Sequence, residues 1–190
     1  GSGPNRVYKN DGSGHFSLSE SSENGSINSV VLGDVDNDGD LDYIAGDSGQ
    51  QNRIYKNDGS GHFTLSESSS ESNSTFSVAL GDVDNDGDLD YIAGNNGQPN
   101  TIYKNNGSGH FTLSESSSEF DSITSVALGD IDNDGDLDYI AGNYGDSNRV
   151  YKNDGSGHFT LSESSSESDY TYSVALGDID NDGDLDYIAG

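Results

Sequence analysis

The chain repeats itself. The segment Gly33-Asp34-Val35-Asp36-Asn37-Asp38-Gly39-Asp40-Leu41-Asp42-Tyr43-Ile44-Ala45-Gly46 returns almost unchanged from Gly81, Gly129 and Gly177, 48 residues apart each time. A second block, Tyr8-Lys9-Asn10-Asp11-Gly12-Ser13-Gly14-His15-Phe16, returns from Tyr55, Tyr103 and Tyr151, with Asn106 in place of Asp in the third copy. The 190 residues are therefore four copies of one unit, the first slightly shorter, read as repeats 1–46, 47–94, 95–142 and 143–190 of a single domain. A period of this size marks a solenoid, propeller or array, in which each unit buries its apolar face against its neighbours. The repeat also decides how to read the composition. A hydrophobic content of 29% and a net charge of −28, from 35 Asp+Glu against 7 Lys+Arg, would ordinarily describe a solvated or disordered polymer. Here the apolar residues recur at matched positions, so disorder is the wrong reading.

The charge still excludes functions. A nucleic-acid binder needs a basic footprint and an anionic membrane a basic face, and this chain is repelled by both. No apolar run approaches the roughly 20 residues of a membrane span, so no insertion is expected, and no secretory apolar core is present. With no Cys there is no disulfide framework, thiolate metal site or cysteine nucleophile. The lack of an initiator Met is read as processing or tag cleavage, with Gly1-Ser2-Gly3 as a cloning remnant.

Within a unit the pattern predicts four short strands, for example Ser77–Leu80, Leu89–Ala93, Arg53–Lys56 and His62–Ser66 as the first to fourth types. Asn57-Asp58-Gly59-Ser60-Gly61 joins the last two types with the Asp-Gly chemistry that hairpins favour, because Gly tolerates positive φ. No helical period is present. Four strands per unit is the size of a propeller blade, whose sheets pack face to face. Burial on both sides would explain why the first strand is apolar at consecutive positions. The expected fold is all-β: a β-propeller of four-stranded antiparallel blades, four per chain. The chain begins with third- and fourth-strand sequence (Asn5 to Glu20) and ends with first- and second-strand sequence (Ser173 to Gly190). Half-blades leave unpaired edges, a liability that joining them removes. The expected ring is either a four-bladed monomer or a homodimer completing eight blades.

Each unit carries Asp-x-Asp-Asn-Asp-Gly-Asp-Leu-Asp. The carboxylates are Asp34, Asp36, Asp38, Asp40 and Asp42; Asp82, Asp84, Asp86, Asp88 and Asp90; Asp130, Asp132, Asp134, Asp136 and Asp138; and Asp178, Asp180, Asp182, Asp184 and Asp186. These loops hold 20 of the 35 acidic residues. Five carboxylates in nine residues repel strongly unless a cation sits among them. Hard oxygen donors at alternate positions, with a Gly at position 6 that lets the chain wrap, suit Ca2+ better than the strictly octahedral Mg2+. An EF-hand has the same spacing but needs a bidentate Glu at position 12, where this chain has Ala45, Ala93, Ala141 and Ala189. Position 9 supplies the carboxylate instead. The expected ligands are the side chains at positions 1, 3, 5 and 9, with position 7 offering its backbone carbonyl, for about one Ca2+ per repeat. Four Ca2+ would bring the formal charge from −28 to −20.

Asp-x-Asp-x-Asp-Gly-x-x-Asp followed by a strand, then Tyr-Lys-Asn-Asp-Gly-Ser-Gly-His-Phe, resembles the FG-GAP/VCBS blade of integrin-α-type β-propellers, four times over the whole chain. The resemblance implies calcium loops between the first two strands of each blade and an extracellular or cell-surface setting. It also implies rings of about seven blades, against which four is a departure. The near identity of the copies implies recent duplication or deliberate design.

Other residues carry weaker signals. The histidines His15, His62, His110 and His158 occur one per blade, so they should lie far apart, exposed or packed beside the adjacent Phe. No nucleophile elbow or phosphate loop is recognisable, and no enzyme activity is expected. The basic residues Arg6, Lys9, Arg53, Lys56, Lys104, Arg149 and Lys152 all lie around the third strand, where they offset local negative charge. Copies differ in the loop after the second strand (Asp47 to Gln51, Asn95 to Pro99, Asn143 to Ser147) and in the loop before the first (Asn24 to Asn28, Asn73 to Phe76, Phe120 to Thr124, Asp169 to Tyr172). In an up-and-down blade both emerge on one face, opposite the Asp loops and Gly-rich hairpins. Of 17 aromatics, 12 occupy repeated positions, whereas Phe76, Phe120, Tyr144, Tyr170 and Tyr172 fall in or beside these variable loops. The expected function is a calcium-binding scaffold or binding module, and the alternative is a carbohydrate-binding lectin, or a surface for a protein ligand, on the variable-loop face.

Overall fold

The computed structural model describes residues 3–190. It contains only strands, turns and loops. Three complete sheets follow one another: β3(Ile27–Gly33), β4(Asp42–Asp47), β5(Arg53–Asn57) and β6(Phe63–Ser68); β7(Thr75–Gly81), β8(Asp90–Asn95), β9(Thr101–Asn105) and β10(Phe111–Ser116); and β11(Ile123–Gly129), β12(Asp138–Asn143), β13(Arg149–Asn153) and β14(Phe159–Ser164). Each is an antiparallel meander in chain order. Two-stranded sheets flank them, β1(Gly3–Asn10) with β2(Phe16–Gly25) before, and β15(Val174–Gly177) with β16(Asp186–Ala189) after. Sheets and sequence repeats are thus out of phase by half a unit, each sheet taking two strands from one repeat and two from the next.

Register repeats from sheet to sheet. Tyr43 faces Tyr55, Tyr91 faces Tyr103 and Tyr139 faces Tyr151 across the second and third strands. The rings stack with centroids 4.5, 4.5 and 4.4 Å apart, and a Phe from the fourth strand (Phe63, Phe111, Phe159) meets the second-strand Tyr edge-on at 5.0 to 5.1 Å. Such offset and edge-on pairs add about 0.5–1.5 kcal/mol beyond the area they bury. These aromatic trios form the face that receives the preceding sheet. Ile44 and Ile54 pack in one cluster with Tyr91, Tyr103 and Phe111, and Ile92 and Ile102 with Tyr139, Tyr151 and Phe159.

Double burial falls on the second strand, not on the first as its consecutive apolar residues led one to expect. All six residues of β4, β8 and β12 are buried, whereas β7 is buried only at Thr75, Val78 and Gly81. The first strand is the edge of its sheet, and it contacts the first strands of the neighbouring sheets: β3 with β7, β7 with β11, β11 with β15. The second strand has a partner on each side within the sheet and a neighbouring sheet over each face. It can therefore read Asp-Tyr-Ile-Ala-Gly with no polar alternation.

Close approach of the sheets requires glycine at the end of the second strand. A Cβ on Gly94 would lie 2.7 Å from Ile123 Cγ2 and 2.8 Å from Val126 Cγ1, both on the next sheet. Gly94→Ala should therefore force the seam apart at a cost of roughly 1–3 kcal/mol. A thermal melt should show it as a fall of about 2–4 °C per kcal/mol for a chain of this size.

Candidate metal centre

The Asp loop connects the first and second strands of each unit. Its path turns at position 4, where Asn37, Asn85, Asn133 and Asn181 hold positive φ of 59 to 64°. Asn adopts this region more readily than most residues because its short amide can bond locally. Position 6 is Gly39 and its equivalents, with φ of 95 to 99°. The carboxylate at position 1 then caps the turn: Asp34 accepts from the backbone N–H of Asp38 at 3.1 Å and of Gly39 at 2.9 Å, and Asp82, Asp130 and Asp178 do the same.

Position 9 ties the loop to its sheet. Asp42, Asp90 and Asp138 are fully buried. Asp90 accepts from Val83 N–H at 3.0 Å and from Asn105 N–H at 2.8 Å, so one carboxylate joins the loop to the third strand. Asp42 and Asp138 make the same two bonds, to Val35 and Asn57 and to Ile131 and Asn153. In the last loop Ile179 N–H donates to Asp186 at 3.0 Å, and Asp186 is exposed.

These turns gather carboxylates. Oxygens of Asp34, Asp36 and Asp42 lie within 4.8 Å of one another, as do those of Asp82, Asp84 and Asp86, of Asp130, Asp132 and Asp138, and of Asp178, Asp180 and Asp186. Each predicted loop thus brings together three of its expected side-chain ligands. Positions 1 and 3 enter every group, position 9 enters three and position 5 one. Asp36 Oδ1 and Asp84 Oδ1 are buried without any hydrogen-bond partner. A buried carboxylate oxygen without a donor is costly, and only a donor or a cation can satisfy it. The donor set is oxygen alone and strongly anionic, which fits a hard divalent cation.

Burial raises the proton affinity of the position 9 carboxyls. Asp90 is pushed up to about 6, mainly by burial and further by the charges of Asp84 and Asp86, against the two N–H bonds that favour the anion. Asp42 and Asp138 are raised for the same reason.

Position 7 has a different task. Asp88, Asp136 and Asp184 accept from the amides of Asn37, Asn85 and Asn133, one unit earlier, at 2.7, 2.8 and 2.6 Å. These side chains clamp adjacent units and do not enter the oxygen groups. The clamp was not foreseen from the sequence, although an Asn invariant among the four loops was its visible signal. Lysines act locally as expected, with specific partners: Lys56, Lys104 and Lys152 lie 3.0, 3.2 and 2.8 Å from Asp36, Asp84 and Asp132 at position 3. The histidines are exposed and separate. His62, His110 and His158 each pair with a Glu of the preceding unit, Glu20, Glu67 and Glu115, at 2.9 to 3.1 Å.

At the other ends of the strands, the loop after each second strand bridges to the loop before the next first strand, at Ser48–Ser74, Asn96–Ser122 and Tyr144–Tyr170. Tyr144 lies 4.5 Å from Tyr170 and 5.5 Å from Tyr172, centroid to centroid, and all three are exposed. Phe76 and Phe120 are exposed but form no such group.

A raised carboxyl favours folding while protonated, so its contribution is complete below its unfolded value near 3.8 and is lost as pH climbs through about 6. Chelated protein should accordingly melt at a higher temperature at pH 4.5 than at pH 7. Saturating Ca2+ should remove or reverse that difference, as followed by circular dichroism.

The sequence matches the FG-GAP-like repeat profile at residues 1–45, 34–93, 82–141 and 132–189. No curated protein matches the sequence. Among solved structures, the chain is similar to BBS1N in a complex with ARL6DN from a crystal soaked with lead. The TM-score is 0.60 at 13% identity, over 86% of this chain and 54% of that one. It is also similar to the V. cholerae biofilm matrix protein Bap1, with a TM-score of 0.55 at 20% identity, over 87% of this chain and 28% of that one. The chain thus spans about half or less of these structures, and at such identities the likeness concerns the fold. With the profile matched in every repeat, the chain belongs to the FG-GAP-like repeat family.

Proposed function

We propose that the chain is a calcium-stabilised β-propeller scaffold or binding module, extracellular in setting and without catalysis. The observation that carries this reading is the buried, partnerless carboxylate oxygen within an all-oxygen Asp triad, at Asp36 and again at Asp84. A Ca2+ among the carboxylates of positions 1, 3, 5 and 9 would satisfy these oxygens and offset their repulsion, with a carbonyl from position 7 completing the set. It would fix the turn between the first two strands of each unit. Asp42, Asp90 and Asp138 already tie that turn to the third strand, so a bound cation would stabilise the sheet and not only the loop.

An affinity on the order of 10⁻⁴–10⁻³ M is typical of extracellular calcium modules. At ten times Kd each site adds about 1.4 kcal/mol, and four independent sites about 6 kcal/mol, if only the folded state binds. Calorimetric titration should give close to four Ca2+ per chain, and melting should rise by on the order of 10 °C between chelator and saturating Ca2+. Asp84→Asn should remove one equivalent and leave the others. An unchanged melt in chelator would overturn the reading.

One observation favours the carbohydrate-binding alternative. Tyr144, Tyr170 and Tyr172 form an exposed aromatic group on the variable-loop side, of the kind that packs against sugar rings. A glycan screen should then give hits that Tyr170→Ala and Tyr172→Ala each weaken at least tenfold. An empty screen would leave the scaffold reading alone.

A further inference from the structure

The apolar residues exposed at the two ends of the array match each other. Ile188 is 63% exposed, while its counterparts Ile44, Ile92 and Ile140 are fully buried. Ile44 and Ile92 sit against the Tyr and Phe of the next sheet. At the opposite end, Tyr43, Phe63, Leu32, Val30 and Val7 line an open apolar groove of about 210 Å³. By the register of the inner units this groove is where an Ile of the preceding second strand belongs. The glycines tell the same story. Gly33, Gly81 and Gly129 are covered by leucines of the following unit, Leu80 and Leu89 in the first case, whereas nothing lies near Gly177. Leu32 and Leu41, which would cover it, are 60% and 55% exposed.

Polar links are interrupted in the same register. Every inner position 9 carboxylate accepts an N–H from the third strand: Asp42 from Asn57, Asp90 from Asn105 and Asp138 from Asn153. Asp186 has only its own loop's Ile179 N–H, and the corresponding third-strand residue is Asn10 at the other end of the chain. Lys56, Lys104 and Lys152 reach the position 3 Asp of their own sheets. By the same spacing Lys9 corresponds to Asp180.

We propose that these two ends are joined by a second copy of the chain, head to tail at both junctions, so that two chains close one ring and each supplies the third strand that completes the other's last Asp loop. The partner's Tyr8 would stack on Tyr187, the partner's Asn10 would donate to Asp186 and the partner's Lys9 would reach Asp180. Ile188 would fill the partner's groove. The occupant is a second copy and not the chain's own opposite end, because Ile188 and the groove both stand open while all three inner seams are closed. The four units, moreover, match 54% of the BBS1N chain with a TM-score of 0.60, so this arrangement of units also occurs within a longer chain. A two-fold arrangement also closes what would otherwise be an open-ended contact.

The pairing makes Val7 and Ile188 cross-strand neighbours, as Ile54 and Ile44 are in the inner sheet, and the chain has no other thiol to compete. Val7→Cys and Ile188→Cys single variants, mixed, allowed to exchange and oxidised, should yield a disulfide-linked species of twice the chain mass. Neither variant should do so alone. Light scattering of the unmodified chain should give two chains per particle independent of concentration. Ile188→Glu should give single chains that bind three Ca2+ as before and the fourth at least tenfold more weakly. A monomeric unmodified chain, a disulfide within one chain of the double variant, or assemblies growing with concentration would each overturn the proposal. An unmodified chain that is monomeric yet takes up calcium would count against this inference alone. A dimer that takes up no calcium would count instead against the calcium reading.

Discussion

Crowded negative charge is the constraint on which the rest of the structure depends. Each loop places five carboxylates within nine residues, and its turns point three of them at one another within 4.8 Å. Part of the repulsion is met inside the protein: backbone N–H groups satisfy positions 1 and 9, an Asn amide from the previous unit satisfies position 7, and a lysine from the third strand meets position 3. What is left over is acceptor-only oxygen at Asp36 and Asp84, buried and without a donor. The fold thus meets part of the charge with its own donors and leaves oxygens that a cation could hold. This division accounts for a chain with a net charge of −28 that nevertheless packs a continuous apolar seam.

That seam links charge to architecture. The residue after the loop's last carboxylate is the Tyr that stacks on the third strand, and two residues further on comes the Ala of the fully buried second strand. Fixing the loop therefore fixes the register of the aromatic trio, and the trio forms the surface on which the previous sheet lands. Inter-unit contacts repeat from seam to seam, among them an Asn-to-Asp clamp, a His-to-Glu pair, a lysine bonded to the backbone carbonyl of a serine in the next hairpin, and a leucine over a glycine. Such nearest-neighbour coupling is what gives repeat arrays their stability.

Much of this was legible in the sequence because it is local. The 48-residue period, the four strand types, the half-unit offset and the Asp loops each depend on residues close in the chain, and all are found where the spacing places them. What was illegible depends on contacts between units. Consecutive apolar residues in Ser77–Leu80 looked like double burial, yet that strand is a sheet edge, and the double burial belongs to Asp90–Asn95. Nothing in the local pattern distinguishes the two, since the difference comes from which strand sits mid-sheet. Asp40 and its equivalents looked like loop residues with only a carbonyl to offer, whereas the side chains at Asp88, Asp136 and Asp184 bind an Asn of the preceding unit. The lysines of the third strand were seen as general charge balance, and their aim at position 3 required the antiparallel register to be known.

The claim at the centre of this account is that a divalent cation holds the Asp loops and, through position 9, the sheets. Amide hydrogen exchange with and without Ca2+, resolved to peptides across residues 75–105, tests it most directly. The account predicts that protection of the loop, of Asp90–Asn95 and of Thr101–Asn105 rises together on adding Ca2+. The cause is that Asp90 accepts from both Val83 and Asn105. Equal protection in Ca2+ and in chelator across all three segments would contradict it.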